Sequence, residues 1–351
     1  MATMNLNLGT GGKETKLINI LLSSVASERL DREIGRVLAG RPYRLVAPHA
    51  TGSGPADIAF VSRDVTGGSS KTQLEPATLA FYDAMRASPG LTWVHTHSAG
   101  ADRPIFTELL RREVRVTTSS GATAPIVAQT ALGALLALAR RFPQLAEAQR
   151  KHAWRQLLAD APPPLAGQTA VVIGYGPIGQ RLVRLLEALD IDVMVVRREA
   201  VTPNAIAFSD LDLALPRCDW LILACPLTSL TSRLIDARRL ALLPASAHVI
   251  NVSRGEVLVE ADLIAAVRGG KLAGAYLDVF EREPLDPASP LWDLPNVIVS
   301  PHSAGHSSGN AAAVDRMWLD NLARWNRRER LNNEVTPVAG VSALHTGVEA
   351  Q

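Results

Sequence analysis

Cysteine is almost missing from this 351-residue chain. Cys218 and Cys225 stand alone, in neither a C-x-x-C nor a metal-like spacing, so a disulfide scaffold and a thiolate metal centre are both excluded. Two buried thiols in a reducing compartment are expected instead. Excess charge is missing too: the formal net charge is +2, which gives no reason to invoke nucleic acid or an acidic membrane surface. Arginine far outnumbers lysine, but the arginines are scattered over predicted helix faces, as solvated surface is. Long hydrophobic runs are also lacking. The longest, 131–139, is too short to span a bilayer and ends at Arg140 and Arg141. Residues 1–16 are polar and glycine-rich, lack the apolar centre of a signal peptide and are expected to be disordered. A cytoplasmic protein with no membrane partner, no nucleic acid and no metal is the expectation. No repeat of fixed period is present. What remains is ordinary globular composition, 47% hydrophobic and 20% charged, and enough length for two domains with proper cores.

The most informative stretch is 169–198. A short apolar run reads as a buried parallel strand and leads into Gly174-Tyr175-Gly176-Pro177-Ile178-Gly179, which fits G-x-G-x-x-G. Leu182, Leu185, Leu186 and Leu189 follow at helical spacing, and 193–196 form a second buried strand. The motif alone is weak; the order strand, motif, helix, strand is much stronger. In such a unit Gly174 makes the tight turn, Gly176 admits a pyrophosphate to the backbone, and Gly179 lets helix and strand pack closely. The helix N-terminus offers N–H groups and partial positive charge to phosphates. An acidic side chain at the end of the second strand would accept the ribose 2′-OH of NAD. Here the positions are Arg197 and Arg198, which predicts a site for the 2′-phosphate of NADP, with NAD still possible and Arg198 able to stack on adenine.

Strand-like and helix-like segments alternate on both sides of this unit. Strands are expected at 17–22, 43–46, 58–61, 91–94 and 114–117, with helices at 28–38, 78–87 and 104–112 between them. This predicts a parallel sheet with helices on both faces and no glycine fingerprint of its own. A long apolar helix is expected from Thr123 to about Arg141, ending before Pro143 and lying between two domains. After the motif, strands at 220–224, 249–252, 275–279 and 297–300 complete a predicted six-stranded doubly wound sheet. A last helix, 311–327, is placed to return to the first domain.

Ligands in open α/β sheets bind outside the carboxyl ends of the strands. Arg254 in NVSRG, Asp278 with Glu281 and Glu283 in DVFEREP, and His302 in VSPHSAG all fall at such ends. An Arg, an acid and a His gathered over a nicotinamide would make a hydride-transfer site. Each alone is more often surface or structural; three at consecutive strand ends shift that balance.

These segments, with HSAGAD (97–102), VVIGYGPIGQ, ACPLT (224–228) and MWLDNLARW (317–325), resemble the D-isomer-specific 2-hydroxyacid dehydrogenase family, and its glyoxylate/hydroxypyruvate reductase-type members in particular. The resemblance implies an α/β fold of two doubly wound domains: a Rossmann nucleotide-binding domain, 124–306, inserted into a flavodoxin-like substrate domain, 1–123 and 307–351, which acts as a lid. It maps the family's Arg–Glu–His set onto Arg254, Glu283 and His302. It puts the backbone of Ala99 and Gly100, with Arg254, on the substrate carboxylate. Asp278 would hold the nicotinamide amide, with Cys225, Pro226, Thr228, Val252 and Ser253 near that end of the coenzyme. It also implies a homodimer through the nucleotide domain, and Trp154 sits in the arm that reaches a neighbouring site in some members. Gln129, where many members have Glu, is a departure. The enzyme reading is an NADP(H)-dependent reductase of a small 2-oxo acid. Its rival is a non-catalytic, dinucleotide-sensing interaction protein resembling the C-terminal-binding corepressors, which keep the same three residues. The chain shows no long regulatory extension and no nucleic-acid face, and Glu rather than Gln beside the His argues against a formate dehydrogenase.

Overall fold

A computed structural model of the chain describes residues 16–48, 55–69, 73–158, 161–198 and 205–335. The N-terminal segment expected to be disordered lies, but for Lys16, outside them. The chain divides into two compact units, Met1–Ser119 with Val314–Gln351, and Ser120–Ala313.

In the first unit β1 (Ile18–Leu21), β2 (Tyr43–Val46), β3 (Ile58–Val61), β4 (Trp93–Thr96) and β5 (Arg115–Thr118) form a parallel sheet in the order β2-β1-β3-β4-β5. This is the flavodoxin-like doubly wound order. Every residue of β3 and β4 is buried, as expected where helices cover both faces. One face packs Val61, Val94 and Val116 against Phe81 and Phe106. The final helix, Asn310–Asn326, belongs to this unit over most of its length. Trp318 is fully buried and stacks on Phe60 with ring centroids 4.9 Å apart. Asp315 takes a forked pair of hydrogen bonds from Arg29, at 2.7 and 3.1 Å. Beyond the helix, Glu334 bridges to β5 and accepts both ends of the Arg115 guanidinium.

The second unit holds β6 (Thr169–Ile173), β7 (Asp192–Arg197), β8 (Ala205–Ala207), β9 (Trp220–Leu223), β10 (His248–Asn251), β11 (Gly274–Leu277) and β12 (Val297–Val299), all parallel, in the order β12-β11-β10-β9-β6-β7-β8. The sheet has seven strands, not the six expected. β8 is three residues long and pairs only with the end of β7, too short for apolar periodicity to reveal. The apolar helix ends before Pro143, as expected, at Ala139. Pro143 itself sits in the first turn of a further helix, Phe142–Arg150, where proline's missing N–H costs nothing. The reversal comes just before it, at Arg141, with φ +56°. The apolar helix Ala124–Ala139 lays Val127, Ala128, Ala131 and Leu135 on one face of the sheet, against Ala170, Val172, Ile222 and Ile250. The other face packs Val171, Ile173, Leu221, Leu223 and Val249 against Leu240, Leu263 and Val267. Successive strand residues point to opposite faces, and both faces are buried. Among the described residues no helix is long and apolar enough to cross a membrane.

Candidate active site

The turn after β6 is shaped for a close approach. Gly174 has φ +105°, and a β-carbon there would lie 2.6 Å from the carbonyl oxygen of Ala224, so no other residue fits. Gly176 faces open space: a β-carbon would meet nothing within 4 Å. It is also the N-cap of the helix Pro177–Glu187, whose first turn holds no acid and no side-chain cap. Gly179 packs so closely on the backbone of Gly174 that a side chain would collide with it. An N-terminus of this kind, uncapped and free of negative charge, suits a bound pyrophosphate. At the end of β7 the Arg197 guanidinium lies over the Tyr175 ring, 5.9 Å from its centroid. Arg198 is exposed.

Next along the carboxyl edge comes the loop after β10. Asn251, fully buried at the strand's end, organises it: its Oδ1 accepts the Ser253 N–H at 3.0 Å and the Ser253 hydroxyl at 2.8 Å, and its Nδ2 donates to the Arg254 carbonyl. Arg254 is extended and half-buried. Gly255 lies directly on the Phe280 backbone, where a β-carbon would collide. Its bare α-carbon brings the Arg254 loop and the DVFEREP segment together.

Three acids of that segment do different things. Asp278 is 3% exposed, and its Oδ1 accepts the Ser300 hydroxyl (2.6 Å) and the Ser303 and Ala304 N–H groups (2.8 and 2.9 Å). Ser300 spends its proton on Asp278, so it accepts from Tyr276, 2.7 Å away. Burial pushes the Tyr276 hydroxyl up to about 12, and it stays a donor. Glu281 accepts the N–H of Glu260 at the start of the helix Glu260–Arg268. Glu283 is the acid bonded to His302: its Oε2 lies 2.9 Å from Nδ1, while its Oε1 accepts the Phe280 N–H at 3.2 Å. His302 has φ +51°, a conformation that costs of order 1–3 kcal/mol for a non-glycine residue and persists only where neighbours impose it. The imposing contacts are its own N–H to the Asp278 carbonyl at 2.8 Å and the Asp278 carboxylate on the two residues that follow.

Of the residues expected to line the coenzyme, Cys225, Val252, Ser253 and Asp278 are buried. Burial pushes the Cys225 thiol up to about 11, so it is a neutral packing group. Pro226 is exposed, and Thr228 is folded back by Thr231, whose hydroxyl accepts the Thr228 N–H at 2.8 Å. Trp154 is 92% exposed and Gln129 is exposed.

In the first unit, Ala99 and Gly100 lie in the turn after β4, with Ala99 exposed. The Ser98 hydroxyl donates to the Gly100 carbonyl at 2.7 Å, and the Ser98 carbonyl accepts the Ser119 N–H at 2.9 Å. His95, fully buried below, was not singled out by its sequence context. The Trp93 indole donates to Thr117 Oγ1, 2.8 Å away, and Ser119 donates to the Thr96 carbonyl. Thr117 therefore gives its proton to His95 Nδ1 (2.7 Å), and His95 Nε2–H donates to Ser119 (2.9 Å). That chain of donors is complete only with a neutral imidazole, and burial holds His95 down at about 3.

A cleft of about 550 Å³ opens at the opposite, amino edge of the second sheet, beside Gln168, Asp219, His248, Ala273 and Asn296; none of the residues placed at the carboxyl edge lines it. Among the described residues no group of three His, Cys, Asp or Glu side chains could hold a metal ion.

The family model for the D-isomer specific 2-hydroxyacid dehydrogenase, NAD binding domain, matches residues 132–304. A glyoxylate reductase of Thermofilum pendens is 34% identical over 269 residues, 73% of this chain and 76% of that protein. A glyoxylate/hydroxypyruvate reductase A of Arabidopsis thaliana is 33% identical over 236 residues, 67% of this chain and 75% of its own. Among solved structures, a D-isomer specific 2-hydroxyacid dehydrogenase from Xanthobacter autotrophicus Py2, in complex with NADPH and MES, superimposes with a TM-score of 0.70 at 30% identity, covering 91% of this chain and 98% of that one. An NADPH-dependent glyoxylate/hydroxypyruvate reductase from Sinorhizobium meliloti, bound to NADP and malonate, gives 0.70 at 26% identity over 91% and 96%. With both sheets, the glycine turn and the Glu283–His302 pair in place, the chain belongs to the D-isomer-specific 2-hydroxyacid dehydrogenases, a family of oxidoreductases.

Proposed function

We propose that the chain reduces a small 2-oxo acid such as glyoxylate or hydroxypyruvate to the 2-hydroxy acid with NADPH, and runs the reverse oxidation. The observation that carries this reading is the Glu283–His302 pair, 2.9 Å apart at the carboxyl edge of the nucleotide-binding sheet. With Nδ1 given to the carboxylate, Nε2 is the nitrogen left to face a substrate. His302 protonates the carbonyl oxygen from Nε2 in reduction and takes that proton back in oxidation. Glu283 fixes the ring's orientation and stabilises the imidazolium. Arg254 grips the substrate carboxylate through its planar fork of donors, together with the backbone N–H groups of Ala99 and Gly100. A bound nicotinamide supplies the hydride. Gly174, Gly176, Pro177, Ile178 and Gly179 would hold the pyrophosphate, Arg197 and Arg198 the 2′-phosphate, and Cys225, Pro226, Thr228, Val252, Ser253 and Asp278 would border the nicotinamide end. Residues 1–123 and 307–351 form the substrate domain and 124–306 the coenzyme domain. The names of the similar reductases and the NADPH- and NADP-bound neighbours support the substrate class and the coenzyme.

The protein works as a cytoplasmic homodimer in this reading, and sedimentation should give twice the monomer mass. A panel of 2-oxo acids assayed with NADPH and with NADH tests the activity. Turnover of glyoxylate or hydroxypyruvate, with kcat/KM favouring NADPH, is expected. No turnover of any 2-oxo acid with either coenzyme would remove the proposal.

A further inference from the structure

Tyr175 is the one side chain of real size inside the glycine turn, and neither the pyrophosphate nor the chemistry needs it. It is 37% exposed. Gly174 is hydrogen-bonded to the Val196 carbonyl at 2.9 Å, so the turn after β6 is tied beside the last residue of β7. That residue is Arg197, whose backbone is in turn paired with Ala207 of β8. The residue before Tyr175 and the backbone of Arg197 are therefore both tied into the sheet. The guanidinium lies over the ring at 5.9 Å from the centroid, within the range where a cation is attracted to the aromatic face. No described carboxylate forms an ion pair with Arg197, and its guanidinium meets the Tyr175 ring instead.

A cation over an aromatic face is attracted through its charge and does not consume its N–H donors, which remain available to a ligand. An unrestrained arginine must give up rotamer freedom when it grips a ligand, and one already resting on a ring has less to lose. The contact also leaves its charge unneutralised, which a carboxylate partner would not. We infer that Tyr175 is a positioning residue for coenzyme choice: it pre-orders Arg197 for the dianionic 2′-phosphate of the adenosine half of the coenzyme, and contributes to selectivity without touching that phosphate. This rests on the assignment of Arg197 to the 2′-phosphate.

The test uses the full chain and two nucleotides without a nicotinamide, adenosine 2′,5′-bisphosphate and 5′-AMP, with binding followed by titration calorimetry. Tyr175→Leu, which keeps bulk and loses the aromatic face, should weaken the bisphosphate by ~2–5-fold, as expected for an exposed cation–π contact, and leave 5′-AMP unchanged. Tyr175→Phe should bind both like the parent. Arg197→Ala should weaken the bisphosphate by ~10–100-fold, as for loss of a charged hydrogen bond, and Tyr175→Leu should then add nothing in that background, because the two residues act through one contact. An equal loss of both nucleotides in Tyr175→Leu, no loss at all, or the same loss persisting in the Arg197→Ala background, overturns the role of Tyr175 alone. Unchanged bisphosphate binding in Arg197→Ala overturns the 2′-phosphate assignment and this inference with it.

Discussion

A histidine with one ring nitrogen on a carboxylate has one nitrogen left for chemistry, and His302 is held in that state by Glu283 and by contacts around it. Glu283 is itself fixed by the Phe280 N–H, and Asp278 collects the N–H groups of Ser303 and Ala304. The positive φ of His302 is stable only inside this set of contacts. His302→Ala removes the proposed proton donor but not the Asp278 contacts to the residues after it. It should lower kcat by roughly 10²–10⁴, the usual range for loss of a general acid, with binding of adenosine 2′,5′-bisphosphate unchanged. Steady-state kinetics and calorimetry on the same preparation check this, and near-parental turnover would remove His302 from the proposed chemistry.

Between elements, the site depends on how closely two loops approach. Gly255 rests on the Phe280 backbone, so the loop carrying Arg254 and the segment carrying Glu283 share one surface. Neither backbone can retreat without disturbing β10 or β11, which are paired along their length. Gly255→Ala is therefore an overpacking change against main chain rather than against a movable side chain. It should destabilise the protein by about 1–3 kcal/mol or more and depress activity beyond that loss. Urea denaturation gives the first and kcat/KM the second; parental values of both would mean that the loops are not locked together. The same scale shows why the long apolar helix Ala124–Ala139 was easy to read and the short one after it, Phe142–Arg150, was not: of the latter only Ala148 is buried.

At the scale of the whole fold, three histidines among the described residues are held neutral by burial: His95 at about 3, and His97 and His248 at about 4. An unfolded histidine titrates near 6.5. Between that value and the folded one, the unfolded chain binds protons that the folded chain refuses. Their contribution to stability is thus complete above pH ~6.5 and is lost as pH falls toward 4. Unfolding free energy should decline over this window. His248 stacks on Trp220 with centroids 4.5 Å apart, so His248→Phe keeps the stack and removes the titration. The slope of stability against pH should be shallower by about one proton in that variant. Urea titrations at pH 4.5, 5.5 and 6.5 measure it, and an unaltered slope would show that His248 ionises freely in the folded protein.

Two parallel sheets were legible from the apolar runs, because strands buried on both faces, such as β3, β4 and β9, carry no polar alternation to hide them. The glycine turn was equally plain, since the backbone of Gly174 needs a conformation and a clearance that glycine supplies. β8 was not legible: three residues at a sheet edge hold no periodicity, and only the end of β7 makes them a strand. Within the site, residue types and their places at strand ends could nominate Arg254, His302 and three acids. The family resemblance picked Glu283 among these acids, and the structure joins Glu283 to His302 while Asp278 and Glu281 accept from other groups, by hydrogen bonds between residues up to 26 positions apart. The buried roles of Asn251 and His95, and the seat of Arg197 on Tyr175, arise in the same way. Local sequence determines what a backbone can do and which faces turn inward; which polar group satisfies which is decided when distant strand ends meet at one edge, because a hydrogen bond depends on position in space and not on position in the chain.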